Sequence, residues 1–303
     1  MNSVKPILKA VIPVAGLGTR MLPATKAIPK ELLPVYDKPL IQHVVEEAIA
    51  GGISEIILVT RSGKEAIENH FDAHYELEHR LVKKGNEKIL DEIVKIIPDK
   101  VKISSIRQAD ALGLGHAILC AKHLINDEPF AVLLPDVFVL DKKIRQKSFS
   151  FLQLINSWDN TGISQLMIEE VESKNIEKYG IVDPNEKKIN LFDTVPLRGL
   201  IEKPAFQDAP SNLAVLGRYI LSPKIFDLLE VIQPGVGGEI QLTDALSELL
   251  GHVGLNALKT DADVYDCGNK LGYLKANLAV GMRDAGSRAS LYALFNKLSD
   301  DDS

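Results

Sequence analysis

The sequence has few features of an extracellular, membrane-bound or metal-clustered protein. Only two cysteines, Cys120 and Cys267, occur among the 303 residues, and they are too far apart to form a disulfide framework or a metal-binding motif. No apolar run is long enough to span a membrane, and the opening MNSVKPILK lacks the long apolar segment of a signal peptide. These absences predict a soluble protein of the reducing cytoplasm with no membrane partner.

An excess of positive charge is also missing. The formal net charge is −6 and the isoelectric point is near 5.7, which argues against a nucleic-acid partner held by general electrostatics. The content of 46% apolar and 25% charged residues is ordinary for a soluble globular protein. Any binding of an anion must therefore depend on a few cations placed locally.

Several catalytic and nucleotide-binding motifs are absent as well. No G-x-S-x-G marks a nucleophilic serine. The dinucleotide fingerprint needs a glycine where Met21 stands, and the P-loop needs four residues between its glycines, whereas only Leu17 separates Gly16 from Gly18. His70 and His74 are four residues apart but lack a third metal ligand. A standard P-loop, a dinucleotide fold and a serine hydrolase are thus disfavoured.

What is present is a glycine turn directly after a predicted strand, Ala10 to Val14. Gly16 and Gly18 allow the backbone to turn tightly and to bring its N–H groups close to a ligand. Three cations follow within a proline-rich loop: Arg20, Lys26 and Lys30. This combination predicts a cradle for a polyphosphate. The alternative is an ordinary strand-to-loop turn with solvated cations.

Helix and strand patterns alternate in the first half of the chain, which is typical of βαβ units on a parallel sheet. Leu40 to Ala50 and Gly63 to Leu81 are predicted helices, and Glu55 to Thr60 is a predicted strand. The polar stretch from Leu140 to Thr161 gives no clear pattern. Further predicted strands are Leu166 to Glu172, Gly180 to Asp183, Leu200 to Lys203 and Ala214 to Leu221. No clean domain boundary interrupts the chain.

Polar residues follow several of these strands, where ligands bind in open α/β sheets. Asp136, after the apolar run FAVLLP, and Asp266, in VYDCGNK, could together hold Mg²⁺, or each could cap a helix. Gln108, close to Gly113, could recognise the edge of a flat base, or it could be a surface residue.

Another polar pair lies in the segment IEKP. Glu202 suits sugar hydroxyls and Lys203 suits a phosphate. Adjacent strand residues face opposite sides, so both can enter one pocket only if the chain bends there, as Pro204 makes plausible. An exposed ion pair is the alternative.

The segment AGLGTRMLPATKAIPKELLPV closely resembles the signature of the nucleotide-diphospho-sugar pyrophosphorylases, in the form used by bacterial UTP–glucose-1-phosphate uridylyltransferases. The resemblance continues through RQADALGLGHAILCA, LLPDV, EKYGIVD, IEKP, GGEIQLTDAL and DCGNKLGY, and covers about residues 9 to 283. It implies an α/β fold with a Rossmann-like mixed, mainly parallel sheet flanked by helices. It also implies one catalytic domain over 1–283, with a nucleotide-binding half at about 9–137 and a sugar-phosphate-binding half at about 164–269. Residues 284–303 would form a C-terminal helix and acidic tail.

The resemblance also implies roles for single residues. Nucleotide binding would fall to Ala15, Gly16, Gly18, Thr19, Gln108 and Gly113, with Gln108 and Gly113 on uracil. Sugar binding would fall to Tyr179, Gly180, Glu202, Lys203 and Gly217. The catalytic residues would be Arg20, Lys30, Asp136 and Lys203, and the Mg²⁺ ligands would be Asp136 and Asp266.

The implied reaction joins UTP and glucose 1-phosphate into UDP-glucose and releases pyrophosphate. The attacking phosphate oxygen is already anionic, so the absence of a nucleophile or general-base motif is expected. Specificity for dTTP or another sugar phosphate, a catalytically silent regulatory paralogue and an NAD-dependent oxidoreductase are the alternatives. Thr19 and Arg20 argue against the silent protein, and Met21 against the oxidoreductase. A homodimer or homotetramer is expected.

Overall fold

The computed structural model describes residues 4–142, 146–186, 188–235 and 238–301. In these ranges the strands are β1 (Lys9–Pro13), β2 (Pro34–Val35), β3 (Lys38–Pro39), β4 (Glu55–Thr60), β5 (Lys102–Arg107), β6 (Phe130–Leu133), β7 (Val137–Leu140), β8 (Gln165–Glu170), β9 (Gly180–Pro184), β10 (Thr194–Glu202), β11 (Leu213–Leu221), β12 (Asn256–Lys259) and β13 (Asp263–Asp266). The helices are α1 (Leu40–Ala50), α2 (Glu65–Phe71), α3 (Tyr75–Lys83), α4 (Glu87–Val94), α5 (Leu114–Cys120), α6 (Lys122–Ile125), α7 (Phe149–Thr161), α8 (Ile225–Val231), α9 (Leu242–Val253), α10 (Lys270–Arg283) and α11 (Ala285–Asp301).

Nine of the described strands form one sheet, in the order β5-β4-β1-β6-β11-β8-β12-β10-β9. Strands β5, β4, β1 and β6 pair in parallel. The antiparallel pairings involve β10 or β11, so within this sheet only these two strands run opposite to the other seven. The mixed, mainly parallel sheet expected from the sequence is therefore confirmed. Because the strands β1, β4 and β6 run in parallel, their carboxyl ends meet at one edge.

Strand β1 lies at the centre of the parallel part and is buried on both faces. Val11 packs with Ile57 on one face of the sheet, whereas Ala10 and Ile12 pack with Ile56 on the other. The alternation follows from the two-residue period of a strand. Full burial of a valine or isoleucine side chain contributes about 1.5–3 kcal/mol, which explains the unbroken apolar run that ends at the glycine turn.

Helix α7 corrects the expectation for the polar stretch after Leu140. Phe151, Leu154, Ile155 and Trp158 recur at helical spacing and are buried. The intervening serine, asparagine and aspartate residues made the segment appear polar overall. Trp158 also donates a hydrogen bond from Nε1 to the backbone oxygen of Lys5, at 2.9 Å. Part of the core thus comes from a segment for which the sequence predicted no element.

The predicted helix from Gly63 to Leu81 is wrong in its continuity, because two helices, α2 and α3, occupy this region. His74 caps the second helix, its Nδ1 accepting from the backbone N–H of Leu77 at 3.2 Å. His70 pairs with the side chain of Gln42 at 3.1 Å. Among the described residues no three His, Cys, Asp or Glu side chains form a metal-binding group.

No helix in the described ranges is long and apolar enough to cross a membrane. The division of the chain at residue 283 and into two functional halves stays a prediction. Helices α10 and α11 pack against each other, and Gly281 of α10 lies close to the side chain of Leu291.

Candidate active site

The glycine turn after β1 closes over the stem of Lys30. Gly18 has a left-handed backbone (φ 68°), which glycine adopts without strain. A Cβ at this position would lie 3.3 Å from the Cβ of Lys30. Short 3₁₀ turns at Thr19–Met21, Ala24–Lys26 and Lys30–Leu32 give the proline-rich loop its shape. The loop therefore holds the side chain of Lys30 in a fixed place.

Lys30 and Arg20 form an ion-pair network with the two aspartates that follow β6 and end β13. Lys30 Nζ lies 2.6 Å from Asp136 Oδ2. Arg20 reaches Asp136 Oδ2 at 3.6 Å and Asp266 Oδ2 at 3.1 Å. Loop residues far apart in the chain thus converge on one cluster of four charges.

Burial and charge compete in setting the pKa values in this cluster. Burial opposes the charge of Asp136, but the charge and hydrogen bond of Lys30, with help from Arg20, hold the pKa of Asp136 below its usual value. Burial likewise disfavours the ammonium of Lys30, but Asp136 and Glu31 raise the pKa of Lys30 above its usual value. Both groups are therefore charged at neutral pH.

The space between the two aspartates suits a hard cation. A Cβ on Gly268 would lie 2.5 Å from Arg20 Nη2, 2.8 Å from Asp136 Oδ2 and 2.9 Å from Asp266 Oδ1. Glycine at this position therefore leaves room for the Arg20 guanidinium, which here pairs with both carboxylates. In the part of the chain that the structure describes, no third His, Cys, Asp or Glu joins the two carboxylates in a metal-binding group. Two carboxylates match the preference of Mg²⁺ for one or two carboxylates plus phosphate oxygens and water. The donor set thus fits Mg²⁺.

Gln108 is buried behind a second glycine turn. Its Nε2 donates to the backbone oxygen of Gly113 at 3.0 Å and lies 3.1 Å from Nδ1 of His116. Gly113 has φ 95°, and a Cβ there would lie 2.8 Å from the Cβ of Glu239. The amide is therefore held rigidly beside a turn that only glycine can form.

These features surround a first cavity of about 520 Å³, here called the phosphate cavity. Its wall contains every residue predicted to bind nucleotide, together with Arg20, Lys30 and Asp136. The predicted residues are Ala15, Gly16, Gly18, Thr19, Gln108 and Gly113. Lys26 lies outside it, exposed, beside a separate hollow with Arg61 and Lys64.

A second cavity of about 570 Å³ adjoins the first and is here called the carboxylate cavity. Its wall includes Tyr179, Gly180, Glu202, Lys203 and Gly217, as well as Asp266. Arg20 and Asp136 line both cavities. The residues that the sequence singled out are therefore brought together around one continuous cleft.

The bend expected at Glu202 and Lys203 is present. Lys203 has a left-handed backbone (φ 44°), so both side chains reach the carboxylate cavity. Their charged ends are 2.8 Å apart. Thr243 Oγ1 donates to Glu202 Oε2 at 2.7 Å, so this carboxylate is held in position from helix α9.

Glu169, Thr243 and Arg218 were not predicted as site residues from the sequence. Glu169 lines the carboxylate cavity, and burial together with the charge of Asp263 raises its pKa to about 7. Burial and the charges of Asp266 and Glu169 also raise the pKa of Tyr179. Side chains alternate between the two faces of the sheet along β8, so Glu169 lies on the opposite face from its fully buried neighbour Ile168. This alternation does not show that Glu169 faces a cavity.

The sequence matches the nucleotidyl transferase family over residues 9–297. The UTP–glucose-1-phosphate uridylyltransferase of Haemophilus influenzae is 49% identical over 276 residues, which are 91% of this chain and 94% of that protein. The enzyme of the same name from Escherichia coli K12 is 50% identical over 277 residues, 91% of each chain.

Solved structures give the same result. The UDP-glucose pyrophosphorylase of Acinetobacter baumannii superposes with a TM-score of 0.88 at 44% identity, covering 96% of this chain and 99% of that one. A UTP-bound form from that organism has a TM-score of 0.88 at 43% identity, with the same coverage. A UDP-glucose pyrophosphorylase complexed with UDP-glucose has a TM-score of 0.80 at 38% identity, covering 92% of this chain and all of that one.

Proposed function

The chain belongs to the nucleotidyl transferase family, and from this membership we propose that it forms UDP-glucose and pyrophosphate from UTP and glucose 1-phosphate. Curated relatives that are 43–50% identical over most of the chain carry the name of this activity. Similar structures are described as bound to UTP and to UDP-glucose. The enzyme class, the fold class and the resemblance predicted from the sequence are thereby confirmed.

The observation that best supports the reaction is the shared wall of the two cavities. Arg20 and Asp136 line both. UTP in the phosphate cavity and glucose 1-phosphate in the carboxylate cavity would then meet at this wall. Binding two substrates side by side converts their encounter into an intramolecular step, which is a large part of the rate enhancement in such reactions.

The phosphate oxygen of glucose 1-phosphate attacks the α-phosphorus of UTP. A new P–O bond forms as the bond from the α-phosphorus to the β-phosphate oxygen breaks, and pyrophosphate leaves with that electron pair. The attacking oxygen is anionic at neutral pH, so no proton has to be removed. Lys30 and Arg20 supply positive charge at the site where negative charge is redistributed.

Asp136 and Asp266 would hold Mg²⁺, whose charge neutralises phosphate oxygens when it is bound. Both carboxylates accept from Arg20 or Lys30 in this structure. We propose that Arg20 and Lys30 release these carboxylates and bind triphosphate oxygens when UTP binds.

The remaining assignments follow from the chemistry of each wall. Backbone N–H groups of Ala15 and Gly16, with Gly18 and Thr19, would contact the nucleotide, and Gln108 with Gly113 would recognise uracil. On the other wall, Glu202 would accept from sugar hydroxyls beside Tyr179, Gly180 and Gly217. Lys203 would bind the sugar phosphate as a point charge.

A homodimer or homotetramer located in the cytoplasm remains part of the proposal. Helices α10 and α11 expose apolar side chains, among them Leu271 (61% exposed) and Tyr292 (56% exposed). Such a surface favours self-association. Light scattering at micromolar concentration tests it, and a purely monomeric mass would contradict it.

The test of the function is pyrophosphate release from UTP and glucose 1-phosphate with Mg²⁺, repeated with EDTA. We expect metal-dependent release that exceeds the release with dTTP or with galactose 1-phosphate. Faster release with dTTP or another sugar phosphate would keep the mechanism and change the specificity. No release from any pair by protein that still binds UDP-glucose would indicate the silent regulatory paralogue.

A further inference from the structure

Arg218, on strand β11, is fully buried and makes five hydrogen bonds. Its Nε and Nη2 donate to the two carboxylate oxygens of Glu47 on helix α1, at 2.9 and 2.8 Å. The other three bonds go to backbone oxygens, those of Leu134 at 3.1 Å, Gly217 at 3.2 Å and Val137 at 2.7 Å. The guanidinium group therefore bridges a helix, a strand and the chain segment that follows β6.

Two of these carbonyls flank Asp136. The turn Leu134–Pro135–Asp136–Val137 begins where β6 ends, and Arg218 binds the carbonyl oxygen at each end of it. The backbone N–H of Leu134 also donates to Gly217 at 2.9 Å. Arg218 thereby fixes the carbonyl groups at both ends of this turn, whereas the Asp136 side chain lines the cleft.

The same turn is joined to the second aspartate. The backbone oxygen of Asp136 accepts from the N–H of Cys267, at 2.8 Å, and Cys267 directly follows Asp266. A shift of the turn would therefore alter the spacing between the carboxylates of Asp136 and Asp266. Arg218 contacts neither carboxylate, so any effect on them has to pass through the backbone.

We propose that Arg218, held by Glu47, is a positioning residue that sets the separation of the two metal-binding carboxylates. This inference rests on the proposed function, because it assigns a purpose to the geometry of that site. A buried ion pair with only a packing role could be replaced by apolar residues at little cost. The planar fork of arginine binds the carboxylate and the carbonyls at once, which the single ammonium of lysine cannot do.

The test compares Glu47→Gln and Arg218→Lys with the unmodified protein. Partners behind a metal ligand typically change metal affinity or activity by about 10–100-fold. We expect turnover to fall by about that factor, with KM for UTP and for glucose 1-phosphate changed less than about threefold. Titration of Mn²⁺ into the complex with UTP, followed by electron paramagnetic resonance, should show metal affinity weakened by about tenfold or more.

Two control variants separate positioning from general destabilisation. Phe226→Leu disturbs a buried ring stacked on Phe130, at the opposite end of β6 from Asp136. Arg198→Lys makes the same chemical change in an exposed ion pair with Asp183. Both should leave Mn²⁺ affinity unchanged, even where the melting temperature falls as far as in Glu47→Gln.

Unchanged Mn²⁺ affinity in a folded Glu47→Gln protein would overturn the proposal, even with lower stability. If Arg218→Lys does not fold, Glu47→Gln still decides, since it keeps the shape of the side chain while it removes the charge and one of the two oxygens that accept from Arg218. The metal titration also works without turnover. A protein that binds Mn²⁺ and UTP but releases no pyrophosphate would contradict the proposed function and leave the positioning test intact.

Discussion

The phosphate cavity and the carboxylate cavity are similar in size but differ in how they are made. The first is lined largely by glycine, alanine and other backbone-exposing residues, with Lys30 and Arg20 as its cations. The second is lined by side chains that carry functional groups, among them Glu169, Tyr179 and Glu202. The glycines and alanines leave backbone groups exposed at the first wall, whereas the second wall contains several side chains that carry oxygens.

This difference affects how each cavity tolerates change. A wall made of backbone depends on φ angles and on the absence of Cβ atoms, so a side chain added at Gly18 or Gly113, which both have a positive φ, would strain it and meet close neighbours. A wall made of side chains depends on hydrogen bonds from behind, such as the bond of Thr243 to Glu202. The shared wall at Asp136 should be the most sensitive point, because both cavities end there.

The largest effect is expected from Asp136→Asn, which removes a charge from the shared wall. Turnover should fall by about a hundred- to a thousandfold, comparable to the loss of one preorganised charge-stabilising group. The fold should persist, since asparagine has the same shape. Steady-state pyrophosphate release and circular dichroism measure the two quantities. Near-normal turnover of the folded variant would show that Asp136 is not a ligand of the metal.

The backbone-made cavity can be tested alone with Gly113→Ala. The added Cβ would lie 2.8 Å from the Cβ of Glu239 and 2.9 Å from the backbone oxygen of Ile240, at a φ of 95°. We expect KM for UTP to rise by about thirtyfold, about 2 kcal/mol of binding, with KM for glucose 1-phosphate nearly unchanged.

Gly63→Ala is the matched control, because Gly63 also has a positive φ, of 85°, but a Cβ there meets nothing within 4 Å. It reproduces the backbone strain without the collision. If the two variants raise KM for UTP equally, strain rather than obstruction of the cavity causes the effect.

The side-chain-made cavity can be tested alone with Thr243→Val, which removes the 2.7 Å hydrogen bond to Glu202. A hydrogen bond to a charged group contributes about 1.5–3 kcal/mol. We therefore expect KM for glucose 1-phosphate to rise about tenfold, with KM for UTP unchanged. Ser247→Ala is the control, since its hydroxyl bonds the backbone oxygen of Leu200 instead. Equal changes in both Michaelis constants would contradict the division between the cavities.

The smallest effect concerns stability. Because burial raises the pKa of Glu169 from about 4.5 to about 7, the native state holds a proton that the unfolded state has lost between these values. The native state therefore loses stability as pH rises through this window. Glutamine does not titrate, so Glu169→Gln does not lose stability in this window. The free energy of unfolding of this variant, relative to that of the unmodified protein, should therefore increase between pH 5 and pH 8. Water at the cavity wall limits the gain to about 1–3 kcal/mol.

Urea unfolding at the two pH values measures this difference. Glu170→Gln removes the same charge from the exposed neighbouring position, where the side chain pairs with Lys259, and so corrects for the change in net charge. A relative stability of Glu169→Gln that does not change with pH would show that the carboxylate is better hydrated than its burial suggests.

The same contrast explains what the sequence could predict. Gly16, Gly18 and Asp136 belong to short segments directly after strands, so local patterns place them at one edge of the sheet, and Lys30 follows in the same proline-rich loop as the glycines. Glu169 and Thr243 come from distant segments of the chain. They reach the cavity only because β8 pairs with β11 and because α9 packs beside Glu202. No local pattern shows that they face a cavity.

Arg218 was missed for a related reason. It lies within the apolar run of β11, where an arginine is usually an outward-facing residue. Its role depends on Glu47, 171 positions away in the sequence. The βαβ units of the first half were predictable from alternating helix and strand patterns, and the mixed sheet followed from the family resemblance. Helix α7 was not predictable, since polar residues between its buried positions masked their spacing.

Trp158 on helix α7 is the only tryptophan of the chain. Its indole is buried in the core and bound to the backbone of Lys5, which secures the segment before β1. Intrinsic fluorescence should therefore follow the docking of the N-terminal segment and the integrity of the core, with little response to substrates in the cleft. The protein thus contains its own optical probe, through which unfolding can be monitored separately from ligand binding.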